Sequence, residues 1–153
     1  MSGDIDPACL DGHTIIAGFG LPGRAVAERF DLLGKPYCIV ELNAETVRRC
    51  AKSGTHIIEG DVAEEATLLR AGIQNAGLLI IAIPDEHAAV EATGVAHRLN
   101  PNVRIVTRCH YTSKGLEAKS RGASEVIIAE QVVAAEMARL TGELLNTVHL
   151  ARE

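Results

Sequence analysis

Six residues near the start of the chain have the types and spacing of a phosphate-binding loop: Gly18, Phe19, Gly20, Leu21, Pro22 and Gly23. The G-x-G-x-x-G pattern is weak by itself, but here it follows a predicted strand and opens a predicted helix, as phosphate binding requires. The first glycine permits a tight turn, the second lets the backbone approach a diphosphate, and the third lets the helix pack against the strand. The N–H groups of the helix N-terminus would then face the anion. The alternative is a glycine-rich turn that binds no ligand.

An acidic residue stands at the end of the next predicted strand, where a dinucleotide-binding fold holds the ribose. Glu41 follows the first glycine at roughly the 20-residue spacing at which a carboxylate accepts hydrogen bonds from both ribose hydroxyls. The same carboxylate would repel a 2′-phosphate, and the next residues, Leu42 and Asn43, supply no compensating positive charge. These residues therefore favour NAD or an adenosine ligand over NADP. A solvated acid at a strand end is the alternative for Glu41.

Two further strand ends supply candidate walls for the same crevice. Gly60 and Asp61 follow the third predicted strand, on the adenine side. Asp61 either accepts a hydrogen bond from an adenine amino group or caps the helix that starts near Glu64. On the far side of the crevice, three residues that close the fourth predicted strand would face the second half of a dinucleotide: Ala82, Ile83 and Pro84.

Arg108 ends the fifth predicted strand and points toward the same crevice. A guanidinium at that position could reach a phosphate group of the ligand. A salt bridge with Glu130 or Asp85 is the competing structural role for this side chain.

Short β-branched runs alternate with longer helical patterns along most of the chain. Strands are predicted over residues 13–18, 37–41, 56–59, 78–83, 103–107 and 125–128. Helices are predicted over residues 22–33, 44–52, 64–71, 85–99, 113–120 and 130–145. This alternation with short loops predicts an α/β fold, a Rossmann-like doubly wound six-stranded parallel sheet with helices on both faces. Residues 1–12 are predicted to be a flexible lead-in, 13–145 a single domain and 146–153 a C-terminal tail.

The composition fits this architecture and excludes several classes of function. The chain has 153 residues, of which 47% are hydrophobic and 23% charged, as in a soluble globular domain. Aromatic residues make up only 3%, with no Trp, so the core must be aliphatic, and base-stacking modules are disfavoured. The formal net charge of −5 argues against binding a nucleic-acid backbone. We therefore expect no nucleic-acid partner.

Membrane insertion and metal binding are not expected from the sequence. No stretch approaches the roughly 20 apolar residues that cross a bilayer, and the first residues do not form a secretory signal. The four cysteines form no C-x-x-C pair and are expected to be buried or free thiols in a reducing cytoplasm. Cys109 and His110 are neighbours directly after the fifth predicted strand. In an extended chain adjacent side chains point to opposite faces, which argues against a shared metal site.

Together, these motifs closely resemble the TrkA-N family, the nucleotide-binding domains that regulate conductance of potassium (RCK or KTN domains). Besides the glycine loop and Glu41, the resemblance rests on the run Glu59-Gly60-Asp61-Val62, on LLRAGIQNAGLLIIAIPDE at residues 68–86, and on Ile105–Arg108. The later segment GLEAKSRGASEVIIAEQVVAAEMA, residues 115–138, resembles the family's fifth helix, sixth strand and crossover helix. The similarity covers roughly residues 13–141.

The resemblance implies a ligand-gated regulatory subunit of a potassium channel, potassium transporter or cation/proton antiporter. Family members bind NAD(H), ATP, ADP or AMP in the crevice and pass the ligand state to a membrane partner. By position, the resemblance assigns the phosphate loop to residues 18–23, the ribose acid to Glu41 and the adenine side to Asp61 and Val62. It places Arg108 against the phosphates or a neighbouring subunit. His87 would replace an asparagine that often meets the ligand, or the site would take a mononucleotide rather than a dinucleotide.

Family domains dimerise, often within larger rings, and their last helix commonly crosses to the partner. The final predicted helix here has one mostly apolar stripe, which Glu136 interrupts: Val132, Val133, Met137, Leu140 and Leu144. The stripe either meets a partner or packs on the chain's own sheet. We expect a homodimer or larger ring, located in the cytoplasm at the inner face of the cell membrane through its membrane partner.

The competing function is that of a small NAD-dependent oxidoreductase. The single predicted domain leaves no separate substrate domain, and the candidate acid–base residues His87, His97 and His110 follow no recognisable catalytic order. We therefore predict no catalytic residue and a nucleotide-sensing regulatory module rather than an enzyme.

Overall fold

Short aliphatic runs form six strands and the longer segments between them form helices in the computed structural model, which describes residues 6–7 and 10–152. The strands are β1 (Thr14–Ala17), β2 (Tyr37–Glu41), β3 (Ile57–Glu59), β4 (Leu78–Ile81), β5 (Arg104–Cys109) and β6 (Glu125–Ile128). The helices are α1 (Leu21–Leu33), α2 (Ala44–Lys52), α3 (Glu65–Arg70), α4 (Glu86–Leu99), α5 (Thr112–Arg121) and α6 (Ala129–Leu150). A 3-10 turn at Ile73–Asn75 precedes β4.

All six strands are parallel and lie in the order β3-β2-β1-β4-β5-β6. From β1 the chain builds outward through β2 to β3, and then returns to add β4, β5 and β6 on the other side of β1. The connections that leave the carboxyl ends of β1 and β4 therefore diverge and open a crevice between them. This order confirms the predicted doubly wound six-stranded sheet.

The core is aliphatic, as the composition predicts. The largest buried cluster contains Ile15, Leu79, Ile81 and Ile105 from the strands, packed against residues of α3 and α4. A smaller cluster on the opposite face joins Ile16 and Ile39 to α1. Among the described residues, no Phe or Tyr belongs to the buried core. Burial of each such aliphatic side chain stabilises the fold by about 1.5–3 kcal/mol.

One face of the sheet is incompletely covered on the side of β4, β5 and β6. Ile80 and Val106 are in register with Ile16 and so share its face, but both are only partly buried. Ile127 lies on the same face of β6 and is 49% exposed. No helix among the described residues covers this part of the sheet as α1 covers Ile16.

The final helix, α6, stands away from the rest of the chain. None of its 22 residues is buried, and the apolar side chains of its predicted stripe are 45–66% exposed. Of the two predicted alternatives for this stripe, packing on the chain's own sheet is therefore wrong. The helix also continues to Leu150, five residues past its predicted end.

The remaining differences from the predicted elements are small. Strand β5 extends two residues further, to Cys109, and the 3-10 turn before β4 was not predicted. Within the predicted lead-in, residues 1–5, 8 and 9 lie outside the described residues, and the amide of Gly12 donates to the carbonyl of Asn75 over 2.7 Å. No helix in the described part of the chain is long and apolar enough to span a bilayer.

Three of the four cysteines are buried thiols without a disulfide partner: Cys38, Cys50 and Cys109. Cys9 lies outside the described residues. Burial raises the pKa of the Cys38 thiol to about 12, so this thiol stays protonated and unreactive near neutral pH. The prediction of buried thiols is confirmed for these three residues.

Candidate functional site

A cleft of about 770 Å³ opens at the carboxyl ends of the strands, where the chain turns away from β1 and β4 in opposite directions. Its walls come from the glycine loop, the ends of β2, β4 and β5, and the loop after β3. Its lining residues are Gly18, Phe19, Gly20, Leu21, Pro22, Arg24, Val40, Glu41, Leu42, Asn43, Thr46, Gly60, Asp61, Val62, Ala82, Ile83, Pro84, Asp85, Ala88 and Arg108.

The glycines of the loop at residues 18–23 serve different steric purposes. Gly18 has a φ of +94°, and a Cβ there would lie 3.1 Å from the backbone of Ala82 across the cleft. A Cβ on Gly23 would lie 1.9 Å from the carbonyl oxygen of Gly18, so only glycine lets α1 approach β1. Gly20 has open space where its Cβ would be. The absence of a side chain at Gly20 therefore leaves cleft volume that a ligand can occupy.

The N-terminus of α1 faces the cleft without a side-chain cap. Gly20 is the N-cap residue, no side chain bonds to the helix end, and Pro22 occupies the first turn. The N–H groups of a first helical turn have no partner within their own helix, and together with the helix dipole they favour an anion. This helix end therefore supplies donors for a phosphate.

The carboxylate of Glu41 joins two loops of the cleft. The amide of Phe19 donates to its Oε2 over 2.7 Å, and the amide of Asn43 donates to its Oε1 over 3.1 Å. The residue is partly buried at the cleft wall. Each carboxylate oxygen can accept more than one hydrogen bond, so both oxygens retain capacity for ligand hydroxyls while they hold the glycine loop to the start of α2.

The other acidic and polar residues at the rim are engaged with the backbone. Asn43 caps α2, its side-chain oxygen accepting from the amide of Thr46 over 3.0 Å. Asp85 caps α4 in the same way, as predicted. Asp61 accepts from the amide of Ala63 over 2.9 Å. Glu64 rather than Asp61 is the N-cap of α3, so the predicted capping role of Asp61 is wrong and its side chain instead holds the turn after β3.

Two arginines, Arg24 and Arg108, lie on separate walls of the cleft. The Nε of Arg24 donates to the carbonyl of Phe19 over 3.3 Å, and its guanidinium carbon lies 5.6 Å from the centre of the Phe19 ring. Within residues 6–7 and 10–152, neither Arg24 nor Arg108 forms an ion pair. The predicted alternative of a salt bridge from Arg108 to Glu130 or Asp85 is therefore wrong.

The guanidinium of Arg24 also acts electrostatically on a thiol of α2. Burial raises the pKa of the Cys50 thiol on α2, and the guanidinium groups of Arg24 and Arg49 oppose that rise. Arg24 thus lies on the α1 side of the cleft, within electrostatic reach of α2.

The structure brings together every residue that the sequence predicts for the site except Gly23 and His87. Gly23 lies beneath the loop and acts through the close approach of α1 to β1. His87 is exposed, and its charge adds to the effect of Lys114, the main cause of the lowered pKa of Glu117 on α5. Successive helical residues differ by about 100° in direction. Ala88, the residue after His87, therefore lies on the face of α4 that lines the cleft.

Five residues of the wall were not predicted as site residues: Arg24, Val40, Thr46, Asp85 and Ala88. Arg24 directly follows the third glycine, and Thr46 and Ala88 each lie three residues after a helix N-cap. The helical spacing from the N-cap residues could have indicated that Thr46 and Ala88 face the cleft. The Arg24 side chain is directed by its contacts with the carbonyl and the ring of Phe19, and its place on the cleft wall was not predicted from the sequence.

The fold and cleft have counterparts among known proteins. The TrkA-N domain family matches residues 14–129, and the chain therefore belongs to this family.

Several relatives are much longer than this chain. The putative cation/proton antiporter YbaL of Escherichia coli is 28% identical over 141 residues, which is 92% of this chain and 25% of YbaL. The putative K(+) efflux antiporter KefB of Alkalimonas amylolytica is 32% identical over 81% of this chain and 19% of its own length. Potassium channel protein 1 of Methanocaldococcus jannaschii is 28% identical over 86% of this chain and 40% of its own length. The chain thus spans well under half of each.

Solved structures show the same fold. The TrkA-N domain of the inner membrane protein YbaL from Escherichia coli has a TM-score of 0.83 at 26% identity, covering 86% of this chain and 98% of that domain. The Kef C-terminal domain of Shewanella denitrificans in its AMP-bound form has a TM-score of 0.76 at 25% identity, covering 87% of this chain and 80% of that chain. GsuK bound to ADP has a TM-score of 0.74 at 25% identity, covering 88% of this chain and 35% of the GsuK chain.

The Glu41 bridge predicts a measurable contribution to stability without any ligand. Substitution Glu41→Ala leaves the amides of Phe19 and Asn43 without their acceptor, and we expect it to lower the free energy of unfolding by about 1–3 kcal/mol. Urea denaturation of the ligand-free protein measures this change. Glu59→Ala is the matched control, because Glu59 is exposed at the end of the neighbouring strand and its side chain has no hydrogen-bond partner among the described residues. Equal stability of the two variants would contradict a bridging role for Glu41.

Proposed function

We propose that this chain is a nucleotide-sensing regulatory module that binds NAD(H) or an adenine nucleotide (AMP, ADP or ATP) in the cleft. The observation that carries the proposal is the position of Glu41, which accepts from the glycine loop with one carboxylate oxygen and from the loop after β2 with the other. A ligand bound across that bridge meets a carboxylate on its ribose side and the helix N-terminus on its phosphate side.

In the proposed complex each part of the ligand meets a group of suitable chemistry. The ribose diol donates to Glu41, and the phosphates lie against the first-turn N–H groups of α1 at Leu21 and Gly23. The adenine lies beside Gly60, Asp61 and Val62. Arg108 approaches the phosphates from β5, where no carboxylate of the described residues engages it.

A free ribose 2′-hydroxyl is part of the proposed recognition. The carboxylate of Glu41 attracts a hydroxyl donor and repels a 2′-phosphate. Arg24, which the sequence did not indicate, is held against the carbonyl and ring of Phe19. We therefore infer that NADP(H) binds more weakly than NAD(H).

The proposed regulatory output is a rearrangement between subunits. Helix α6 exposes Val132 at 55%, Met137 at 66% and Leu144 at 66%, and the sheet face at Ile127 is also uncovered. Apolar surfaces of this extent favour association with a second protein surface. We infer a homodimer or larger ring whose arrangement shifts when the two states bind the nucleotide with different affinity.

The proposed partner is a potassium channel, a potassium transporter or a cation/proton antiporter. The names of the relatives YbaL, KefB and potassium channel protein 1 support this class of partner. We infer that the module acts in the cytoplasm, at the inner face of the cell membrane through that partner.

The distribution of histidines favours a binding module over an oxidoreductase. None of His87, His97 and His110 lines the cleft. His97 is exposed near the end of α4, beside Gly122, and the ring of His110 bonds to the carbonyl of Pro84. A dehydrogenase would need a proton donor or acceptor within reach of a substrate bound beside the nicotinamide.

A nucleotide panel tests the ligand class. In thermal-shift and calorimetric titrations, we expect NADH, NAD, ATP, ADP or AMP to stabilise the protein, with about 2.7 kcal/mol gained at a ligand concentration one hundred times the Kd. NADPH and 2′-deoxy-ADP should bind more weakly than NADH and ADP, respectively, because each alters only the ribose group that Glu41 would contact. Binding of NADPH as tight as that of NADH would refute the ribose assignment.

Substitution of Arg108 tests the phosphate side separately. Arg108→Ala removes a charge-assisted hydrogen bond, so we expect ADP affinity to fall by about 1.5–3 kcal/mol while adenosine affinity stays the same. Arg104→Ala is the control, since Arg104 is exposed at the opposite end of the same strand. Isothermal titration calorimetry with ADP and adenosine gives both values. A parallel loss for ADP and adenosine would show that Arg108 does not act on the phosphates.

A further inference from the structure

We propose that His110 is a positioning residue that links the far wall of the cleft to the base of α6 and so carries the nucleotide state to that helix. This inference rests on the proposed nucleotide binding and names the route by which it is regulated. His110 directly follows β5 and lies two residues beyond Arg108.

The side chain of His110 is fixed to the cleft wall. Its Nε2 lies 2.7 Å from the carbonyl oxygen of Pro84, a lining residue of the cleft. A carbonyl oxygen only accepts, so Nε2 carries the proton in this contact. The backbone amide of His110 donates to Oε2 of Glu86 over 2.9 Å. Glu86 is the first residue of α4, so two hydrogen bonds hold His110 to residues 84–86, the segment between β4 and α4 at the cleft wall.

The backbone of His110 also holds the start of α6. Its carbonyl oxygen accepts from the amide of Glu130 over 3.3 Å. A neighbouring bond joins the side chain of Gln131 to the hydroxyl of Thr112 over 3.1 Å. Because α6 has no buried residue, its position relative to the domain depends on β6 and on these contacts at its base.

The contacts form a short continuous path from the cleft to α6. A ligand that packs against Pro84 or pairs with Arg108 would restrain the segment at residues 84–86. His110 is bonded to that segment through its ring and through its backbone amide. Hydrogen-bonded elements of this kind transmit a change at one site when they have alternative arrangements. We expect the bound nucleotide to hold the Pro84 carbonyl on His110 and thereby to reduce opening at the first turn of α6.

Hydrogen exchange measured with and without ligand tests this route. The probes are ADP and NADH, each at saturation, and the segment of interest is residues 129–135. In the unaltered chain we expect ligand to slow exchange there by about tenfold, the size of a modest change in local opening. His110→Ala should still bind the probe in calorimetry but lose most of this slowing.

Two further variants separate positioning from general stability. His110→Gln keeps an amide donor near the place of Nε2 and should restore much of the response. His97→Ala removes an exposed histidine that does not line the cleft and should respond like the unaltered chain. A purely structural role for His110 would lower stability and affinity together while the ligand effect on residues 129–135 stayed intact.

The outcomes distinguish this inference from the function on which it rests. If neither ADP nor NADH binds the unaltered chain, the proposed function fails and the His110 route fails with it. If the nucleotide binds and α6 shows no change in exchange, or His110→Ala shows the full change, the His110 route alone is refuted. Loss of the response in His110→Ala, with binding kept and recovery in His110→Gln, supports it.

Discussion

The carboxylate of Glu41 is the interaction on which the rest of the site depends. It accepts from the glycine loop through Phe19 and from the start of α2 through Asn43, so one side chain sets the distance between the glycine loop and α2. The loop can occupy that position only because Gly23 allows α1 to approach β1, where a Cβ would lie 1.9 Å from a carbonyl oxygen. The position of α1 against β1 therefore places the glycine loop within hydrogen-bond distance of the Glu41 carboxylate, which is also the proposed contact of the ribose.

The same arrangement explains how a small domain could act as a sensor. The cleft wall formed by Pro84 and Arg108 belongs to β4 and β5, and the residues after β5 hold the base of α6. None of the residues of α6 is buried, so its exposed apolar side chains are available to another surface. In the proposed mechanism, a change in the cleft wall is passed through these contacts to the exposed face of α6 without any rearrangement of the core.

Much of the fold and most of the cleft could be predicted from the sequence, because both depend on local signals. The β-branched runs of β1 and β4, the Asp85 cap and the strand-end position of Glu41 each act within a few residues, and parallel strands bring their carboxyl ends to one edge of the sheet. What could not be predicted depends on contacts between distant elements. His87 lies toward α5 rather than in the cleft, and the ring of His110 is placed by the carbonyl of Pro84. The exposure of α6 likewise depends on what the rest of the chain leaves uncovered, which an apolar stripe alone does not indicate.

A structure of the protein in complex with NADH would test the central claim most directly. The account predicts both hydroxyls of the adenosine ribose within hydrogen-bond distance of the Glu41 carboxylate, with the diphosphate against the backbone amides at the start of α1. The Glu41 carboxylate would keep its bonds to Phe19 and Asn43 while it accepts from the ribose. A nucleotide bound elsewhere on the chain, or in the cleft with its ribose turned away from Glu41, would contradict the account.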